Sequence, residues 1–397
     1  MTNMVAARVG TPIDNRQYSG ALEVIRSLQP VEPAYLFCAA TLEHRATRFL
    51  RGFPGRVGYA VKANPEPRVL ETLARLGLRH FDVASLDEIR LVRALCPGAR
   101  LHFNNPVKAE EAIREAYHRH GVRSFALDEA AELDKIRRAT DGATDLFYSV
   151  RFKLAHGRAS YDFGSKFGAS PETAVELLRS IAAQGARAAL TFHPGSQCKD
   201  PGEYAHYLAA AARIVKASGV DIAFINVGGG FPECYENAAV PALEAYFEAI
   251  AAAAASHFET RPVLLCEPGR AMVAPAASLL ARVIHVRDDG TTLFVNDGIY
   301  GGMLELSVID LRLPVRAWRD ERVLTGDVAS YRVFGPTCDP IDRLPHEITL
   351  PRGVRAGDYV EFGLLGAYGS ATSTRFNGFQ SAAYFNVAEG FPTLGAG

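Results

Sequence analysis

A lysine closes the apolar run Gly58-Tyr-Ala-Val-Lys62, which is a poor place for a solvated charge. Burial lowers the pKa of an amine and frees its lone pair, so Lys62 is a candidate for Schiff-base chemistry. Three later apolar runs also end in residues able to do chemistry: His193-Pro-Gly-Ser196, Gly228-Gly-Gly-Phe-Pro232 and Glu267-Pro-Gly-Arg270. Consecutive glycines offer bare backbone N–H groups to an anion, and Arg270 would add a charge-assisted clamp on the same group. Glu267 would sit deep enough to hold a pyridinium nitrogen protonated, which makes such a ring an electron sink, and His193 is a candidate for stacking on the ring face. Each feature has a plain alternative: a satisfied core histidine, a tight turn, a local ion pair. Jointly, on one rim, they favour a shared site.

The elements that would position these residues are short and regularly spaced. Eight apolar, β-branched or aromatic runs fall between about residue 56 and residue 270: Gly58–Lys62, His80–Ala84, Arg100–Phe103, Ser124–Leu127, Asp145–Arg151, Ala188–His193, Ile222–Val227 and Val263–Glu267. Segments with apolar residues at helical spacing separate them, such as Ala174–Ala182 and Tyr204–Val215. Eight strands each followed by a helix is the cadence of a closed parallel barrel, whose active sites lie where the strands end. An open doubly wound sheet is the alternative, but no G-x-G-x-x-G follows the first run. After Arg270 the texture becomes mainly β, with strand-like segments at Leu279–Val286, Thr291–Val295 and Asp358–Phe362, and turn residues at Asp288-Asp-Gly290.

Composition sets the outer bounds. The 397 residues are enough for a barrel with a substantial appendage, and a net charge of -1 without basic runs points away from nucleic-acid or anionic-membrane partners. The N-terminal stretch lacks an apolar core of the signal-peptide kind, and the apolar stretch Ala249–Ala255 is too short for a bilayer. The six scattered cysteines form no C-x-x-C pair, which fits a reducing compartment and no metal site, so a cytoplasmic location is expected.

Tyr59-Ala-Val-Lys-Ala-Asn64, Phe81-Asp-Val-Ala-Ser85 with Glu88, Phe192-His-Pro-Gly-Ser196, Gly228-Gly-Gly230 and Glu267-Pro-Gly-Arg270 resemble the barrel motifs of the fold-type III pyridoxal-phosphate decarboxylases, most of all the ornithine/lysine decarboxylases. The β-rich half continues the resemblance through Asn296-Asp-Gly-Ile-Tyr-Gly301, Gly335-Pro-Thr-Cys-Asp339, Gly366-Ala-Tyr-Gly369 and Phe376-Asn-Gly-Phe379. It implies an α/β fold: a TIM-like (β/α)8 barrel of the alanine racemase kind over residues 41–275, a mainly-β domain over 276–397, and an N-terminal segment, 1–40, pairing with that domain. It also implies pyridoxal 5'-phosphate as cofactor and decarboxylation of a basic amino acid, ornithine or lysine, to its diamine through an external aldimine and a quinonoid. Lys62 would carry the cofactor, His193 stack on its ring and Glu267 bond the pyridine nitrogen. Ser196, Gly229, Gly230, Arg270 and Tyr368 would bind the phosphate, while Asp82, Glu88 and Arg151 line or support the cofactor and Lys62.

Cys338 and Asp339 match a loop that, in the family, enters the partner subunit's site, so a homodimer with shared sites is expected. There the cysteine would protonate the carbanionic intermediate, the aspartate would meet the distal amine of the substrate, and Phe376 belongs to the same substrate set. One departure concerns that pocket: the offset at which the family places a second aspartate lands on Ile309, with Asp310 one residue late. Either an insertion keeps Asp310 in that role or the pocket prefers another amine-bearing acid. A racemase, a diaminopimelate-type decarboxylase and a non-catalytic homologue are the competing readings; Asp339, where the diaminopimelate enzymes typically carry glutamate, argues against the second.

Overall fold

The computed structural model describes residues 16–154, 166–236, 239–381 and 383–392. The chain divides into two compact units, one formed by 43–233 and 240–272, the other by 1–42, 234–239 and 273–397. The excursion Cys234–Ala239, read as barrel from the sequence, belongs with the second unit.

The first unit is a closed barrel of eight parallel strands: Arg56–Ala60, His80–Val83, Arg100–Phe103, Ser124–Leu127, Phe147–Arg151, Arg187–Thr191, Ile222–Asn226 and Leu264–Cys266. Closure is made where Leu265 and Cys266 pair with Arg56 and Val57. A closed parallel sheet covered by helices buries both faces of each strand, which is why the runs read as continuous apolar stretches instead of alternating ones. The connecting helices start and stop on local signals. Ser85 accepts from the Glu88 N–H, and the Glu88 carboxylate accepts in turn from the Ala84 N–H at 2.7 Å, a reciprocal cap on Leu86–Leu95. Ser170 followed by Pro171 opens Pro171–Ala183, and Gly219 at φ 67° ends Gly202–Ser218 in the left-handed conformation.

The second unit is a β-sheet threaded from both ends of the chain. Its main path runs Gln17–Tyr18, Ala383–Val387, Ala34–Phe37, Ala277–Val286, Thr292–Val295, Val328–Phe334 and Ile348–Pro351. Tyr359–Phe362 pairs with both Ala277–Val286 and Val315–Arg319. The helix Ala21–Leu28 seals one face through Val24 and Ile25, packed with Leu36, Leu280 and Trp318. A buried carboxylate, Glu361, is fully used inside this sheet. It accepts from Ser278 Oγ at 2.7 Å, Arg316 Nε at 2.7 Å and Trp318 Nε1 at 3.0 Å.

Candidate active site

The first barrel strand stops at Ala60, two residues earlier than the sequence pattern suggests, because Val61–Ala63 turn as a short 3-10 helix. Tyr59 Oη donates to Asn64 O at 3.0 Å, pinning the far side of that turn. Ala63 also lies so close to Gly269 that a Cβ there would meet its methyl at 2.7 Å. Lys62 is therefore held on the rim by its neighbours, and its side chain is exposed in the single chain, not buried as a strand-end position would make it.

Around Lys62 the other strand ends bring a dense set of ionisable groups. Asp82, at the end of the second strand, is buried, and burial raises its pKa against the opposing pull of Lys62, Arg151 and Asn104. Glu267, just past the eighth strand, is 7% exposed and accepts at a single oxygen from Asn104 Nδ2 at 2.5 Å and Asn226 Nδ2 at 2.6 Å. Burial and the neighbouring Asp82 push the Glu267 carboxyl up to about 8, with Asn226, Lys62 and Asn104 resisting. The Arg151 guanidinium, at the end of the fifth strand, faces Asp82, Asp128 and Glu267. His193 is held neutral: burial, with the positive charges of Lys62 and Arg151, drives its pKa well below the usual value. Its Nδ1 accepts from the Gly195 N–H at 3.0 Å, which leaves the ring proton on Nε2.

The glycine run is a crowded turn that only bare backbone can fill. Gly228 and Gly230 have φ of 71° and 90°, and a Cβ on Gly230 would lie 2.4 Å from Gly195 O. A Cβ on Gly229 would lie 2.7 Å from Glu267 O and 3.3 Å from His193 Nε2, so the run passes directly beside both residues. Asn226 ties this turn to the acid, because its Oδ1 accepts from the Gly228 N–H at 2.9 Å while its Nδ2 serves Glu267. Tyr204 Oη donates to Gly229 O at 2.7 Å from behind. Arg270 is buried, and its Nη2 reaches Ser196 Oγ at 3.4 Å. Lys62, Asp82, Arg151, His193, Ser196, Gly229, Gly230, Glu267 and Arg270 thus share one barrel rim. Glu88 lies one turn into the helix that follows Asp82, and its carboxylate accepts from the Ala84 N–H at 2.7 Å.

Asn104 and Asn226 escaped the sequence reading. Each stands at or just past a strand end, and that position is the one signal that could have found them.

Within the second unit, Tyr300 organises the residues expected near a substrate. Its hydroxyl donates to Asp339 Oδ2 at 2.6 Å, a bond that lowers the Asp339 pKa, and its ring lies 4.6 Å from that of Phe376. Cys338 is exposed, and both its backbone N–H and its thiol bond Asn377 Oδ1, at 3.2 and 3.3 Å. Behind this loop the buried Asp342, also missed from sequence, accepts from the Ile299 N–H at 3.0 Å, the Thr337 N–H at 3.0 Å and Thr337 Oγ1 at 2.7 Å. It fastens the Asn296–Gly301 turn to the Gly335–Asp339 loop. Asp310 stands outside this grouping: Ile309 is buried, whereas Asp310 is exposed and accepts from His346 Nε2 at 2.7 Å. Tyr368 is half-buried with φ 55° in a turn closed by Thr372 Oγ1 donating to its carbonyl at 2.5 Å.

A parallel barrel whose rim gathers an amine, a buried acid, a neutral histidine and a glycine–arginine cradle defines a pyridoxal-phosphate enzyme. The cradle suits a phosphate, and the acid, held by two amide donors, suits a pyridine nitrogen. Comparison with known proteins agrees: residues 39–274 match the pyridoxal binding domain of the pyridoxal-dependent decarboxylases, and the chain belongs to that family. The lysine/ornithine decarboxylase of Selenomonas ruminantium is 32% identical over 387 residues, covering 95% of this chain and 90% of that protein. The solved lysine/ornithine decarboxylase of Vibrio vulnificus complexed with putrescine superposes with a TM-score of 0.80 at 28% identity, covering 92% of this chain and 96% of that one. An SrLDC mutant in complex with PLP gives a TM-score of 0.82 at 30% identity, covering 92% and 94%.

Proposed function

We propose that this enzyme decarboxylates a basic L-amino acid, ornithine or lysine, to its diamine. The observation that carries the reading is the buried Glu267 clasped by Asn104 and Asn226 beside Lys62. Pyridoxal phosphate, when bound, supplies the electron sink for loss of the α-carboxylate. Lys62 would hold the cofactor through its side-chain amine. Glu267 would stand against the ring nitrogen, where its carboxylate would favour the protonated pyridinium. His193, neutral and fixed by Gly195, stacks on the ring without adding positive charge to the site. Asp82 and Arg151 would brace Lys62 and the ring, Ser196, Gly229, Gly230 and Arg270 would hold the phosphate, and the family resemblance assigns Tyr368 to the same group. Cys338 delivers a proton to the α-carbon, and Asp339 binds the distal ammonium.

The exposure of Cys338, together with that of Ile341 (59%), Phe376 (41%) and Phe379 (40%), supports covering of this loop by a second copy in an isologous homodimer with shared sites. The binding of putrescine by the Vibrio vulnificus relative supports a diamine product and a role in polyamine biosynthesis, and the scattered cysteines support a cytoplasmic location. The pairing of Asp310 with His346 supports one second reading, a larger amine-bearing acid in place of ornithine or lysine.

A decarboxylation panel of ornithine, lysine, arginine and diaminopimelate tests the assignment. Ornithine or lysine should lead, and Asp339→Ala should lower kcat/KM for it on the order of 100-fold with cofactor content unchanged. Turnover of a different amine-bearing acid alone would overturn the substrate, and absence of all turnover in cofactor-loaded protein would overturn the activity.

A further inference from the structure

The barrel has a second open end, where its strands begin, and that end holds a cavity of about 440 Å³ within the usual size of small-molecule sites. Its walls are apolar, formed by Leu101, Phe147, Phe224 and Leu265. Four arginines surround it, Arg56, Arg100, Arg123 and Arg187, against the single carboxylate of Asp145. That carboxylate is already engaged, accepting from Arg123 Nε at 2.6 Å and Tyr117 Oη at 3.0 Å. Arg187 stacks on Phe147 with 3.8 Å between guanidinium and ring centre, which fixes it at the mouth. Arg56 and Arg100 are exposed and form no ion pair among the described residues. Positive charge in excess around low-dielectric walls gains nothing for the fold, since like charges repel, but it focuses a field on any anion that enters.

A buried polar chain lines the same cavity. His102 Nδ1 meets Ser124 Oγ at 3.0 Å, and His102 Nε2 meets His80 Nδ1 at 2.9 Å. Both rings are held neutral by burial and by the nearby arginines, so they add hydrogen-bonding capacity, not charge. The chain uses three of the four ring nitrogens and leaves His80 Nε2, on a half-buried ring, as the fourth. An arginine-rich mouth, a wall of two phenylalanine rings inclined at 57° to each other and one polar ring edge together match a ligand with a phosphate at one end and an aromatic ring at the other.

We propose that this cavity is a second small-molecule site, at the opposite end of the barrel from Lys62, for a nucleotide-like aromatic phosphate. Its phosphate sits among Arg56, Arg100 and Arg187, and its base lies against Phe147 and Phe224. Because the site shares no residue with the catalytic rim, its failure and that of the decarboxylase reading are separable.

The test is calorimetric titration of the cofactor-saturated enzyme, whose own phosphate cradle is filled, with ADP, adenosine and inorganic phosphate. ADP should bind once per chain, at least tenfold more tightly than either adenosine or inorganic phosphate, and more weakly as salt rises. Arg56→Ser with Arg100→Ser should weaken ADP at least tenfold while leaving the bound-cofactor absorbance and decarboxylation unchanged; Arg100→Glu alone serves if the double variant fails to fold. No ADP binding, equal affinity in the variants, or inorganic phosphate binding as tightly as ADP would overturn the proposal.

Discussion

Asn226→Asp is the sharpest test of how the acid at the barrel rim is tuned. Asn226 donates to Glu267 Oε1 at 2.6 Å and accepts from the Gly228 N–H at 2.9 Å. Aspartate keeps the shape and the acceptor but replaces the donor with a second carboxylate oxygen facing the first. Two full charges at that separation repel by roughly 6 kcal/mol at an effective dielectric of about 20, unless one proton is shared between them. Asn226→Ala instead loses one bond to the carboxyl and strands the Gly228 N–H, about 2–4 kcal/mol together. The pH dependence separates the two. Glu267 already has a native pKa raised to about 8, so its proton stabilises the fold at low pH and that stability is lost as pH rises toward 8. The new pair should steepen this loss. Thermal unfolding of cofactor-free protein should therefore show Asn226→Asp close to wild type at about pH 6 and well below both wild type and Asn226→Ala at about pH 9. An Asn226→Asp deficit that is the same at both pH values would refute the clasp between Asn226 and Glu267.

Gly230→Ala places a methyl 2.4 Å from Gly195 O at a φ of 90°, and should cost about 2 kcal/mol or more in denaturant unfolding, with weaker cofactor retention on dialysis. His102, with its pKa lowered from 6.5 to about 3, contributes stability present above 6.5 and lost as pH falls; at pH 5 the loss is about 2 kcal/mol, and His102→Asn should flatten the acid limb of the unfolding profile. Mixing inactive Lys62→Ala with inactive Cys338→Ala should restore part of the activity through heterodimers, and exchange of subunits without recovery would refute shared sites. Cys338→Ala alone should slow turnover or divert product, read by product analysis, and unchanged kinetics would reduce this exposed thiol to a surface residue.

The barrel was legible because burial on both faces leaves an unbroken apolar signature. Arg100–Phe103 and Ser124–Leu127 match their sequence runs, and the other strands differ at their ends by a few residues. The rim residues were legible for the same reason, since a charged or glycine residue closing such a run has few structural uses. What sequence hid is lateral. Nothing in the residues around Asn104 or Asn226 announces that both amides converge on one oxygen of Glu267, because that meeting is made by barrel closure between distant strands. The turn at Val61–Ala63 was hidden too: Lys62 continues an apolar run, and only the Tyr59–Asn64 bond shows where the strand yields. Ser85-Leu-Asp-Glu88 carries a plain helix-capping pattern, S-x-x-E, that the reading by resemblance passed over.

The threading of the second unit bears on how the protein is made. Ala34–Phe37 lies in the sheet between Ala277–Val286 and Ala383–Val387, and Gln17–Tyr18 pairs with that last strand alone. During synthesis the early strands leave the ribosome long before either partner exists, whereas every strand of the barrel pairs with one made shortly before it until the eighth closes on the first. The barrel is thus positioned to mature first, with an apolar N-terminal strand waiting through some hundreds of residues of translation. Such an unpaired edge is a substrate for chaperones and a nucleus for aggregation. Completion of the sheet therefore waits for Ala383–Val387, and truncations that remove that strand should fail in solubility before they fail in barrel formation.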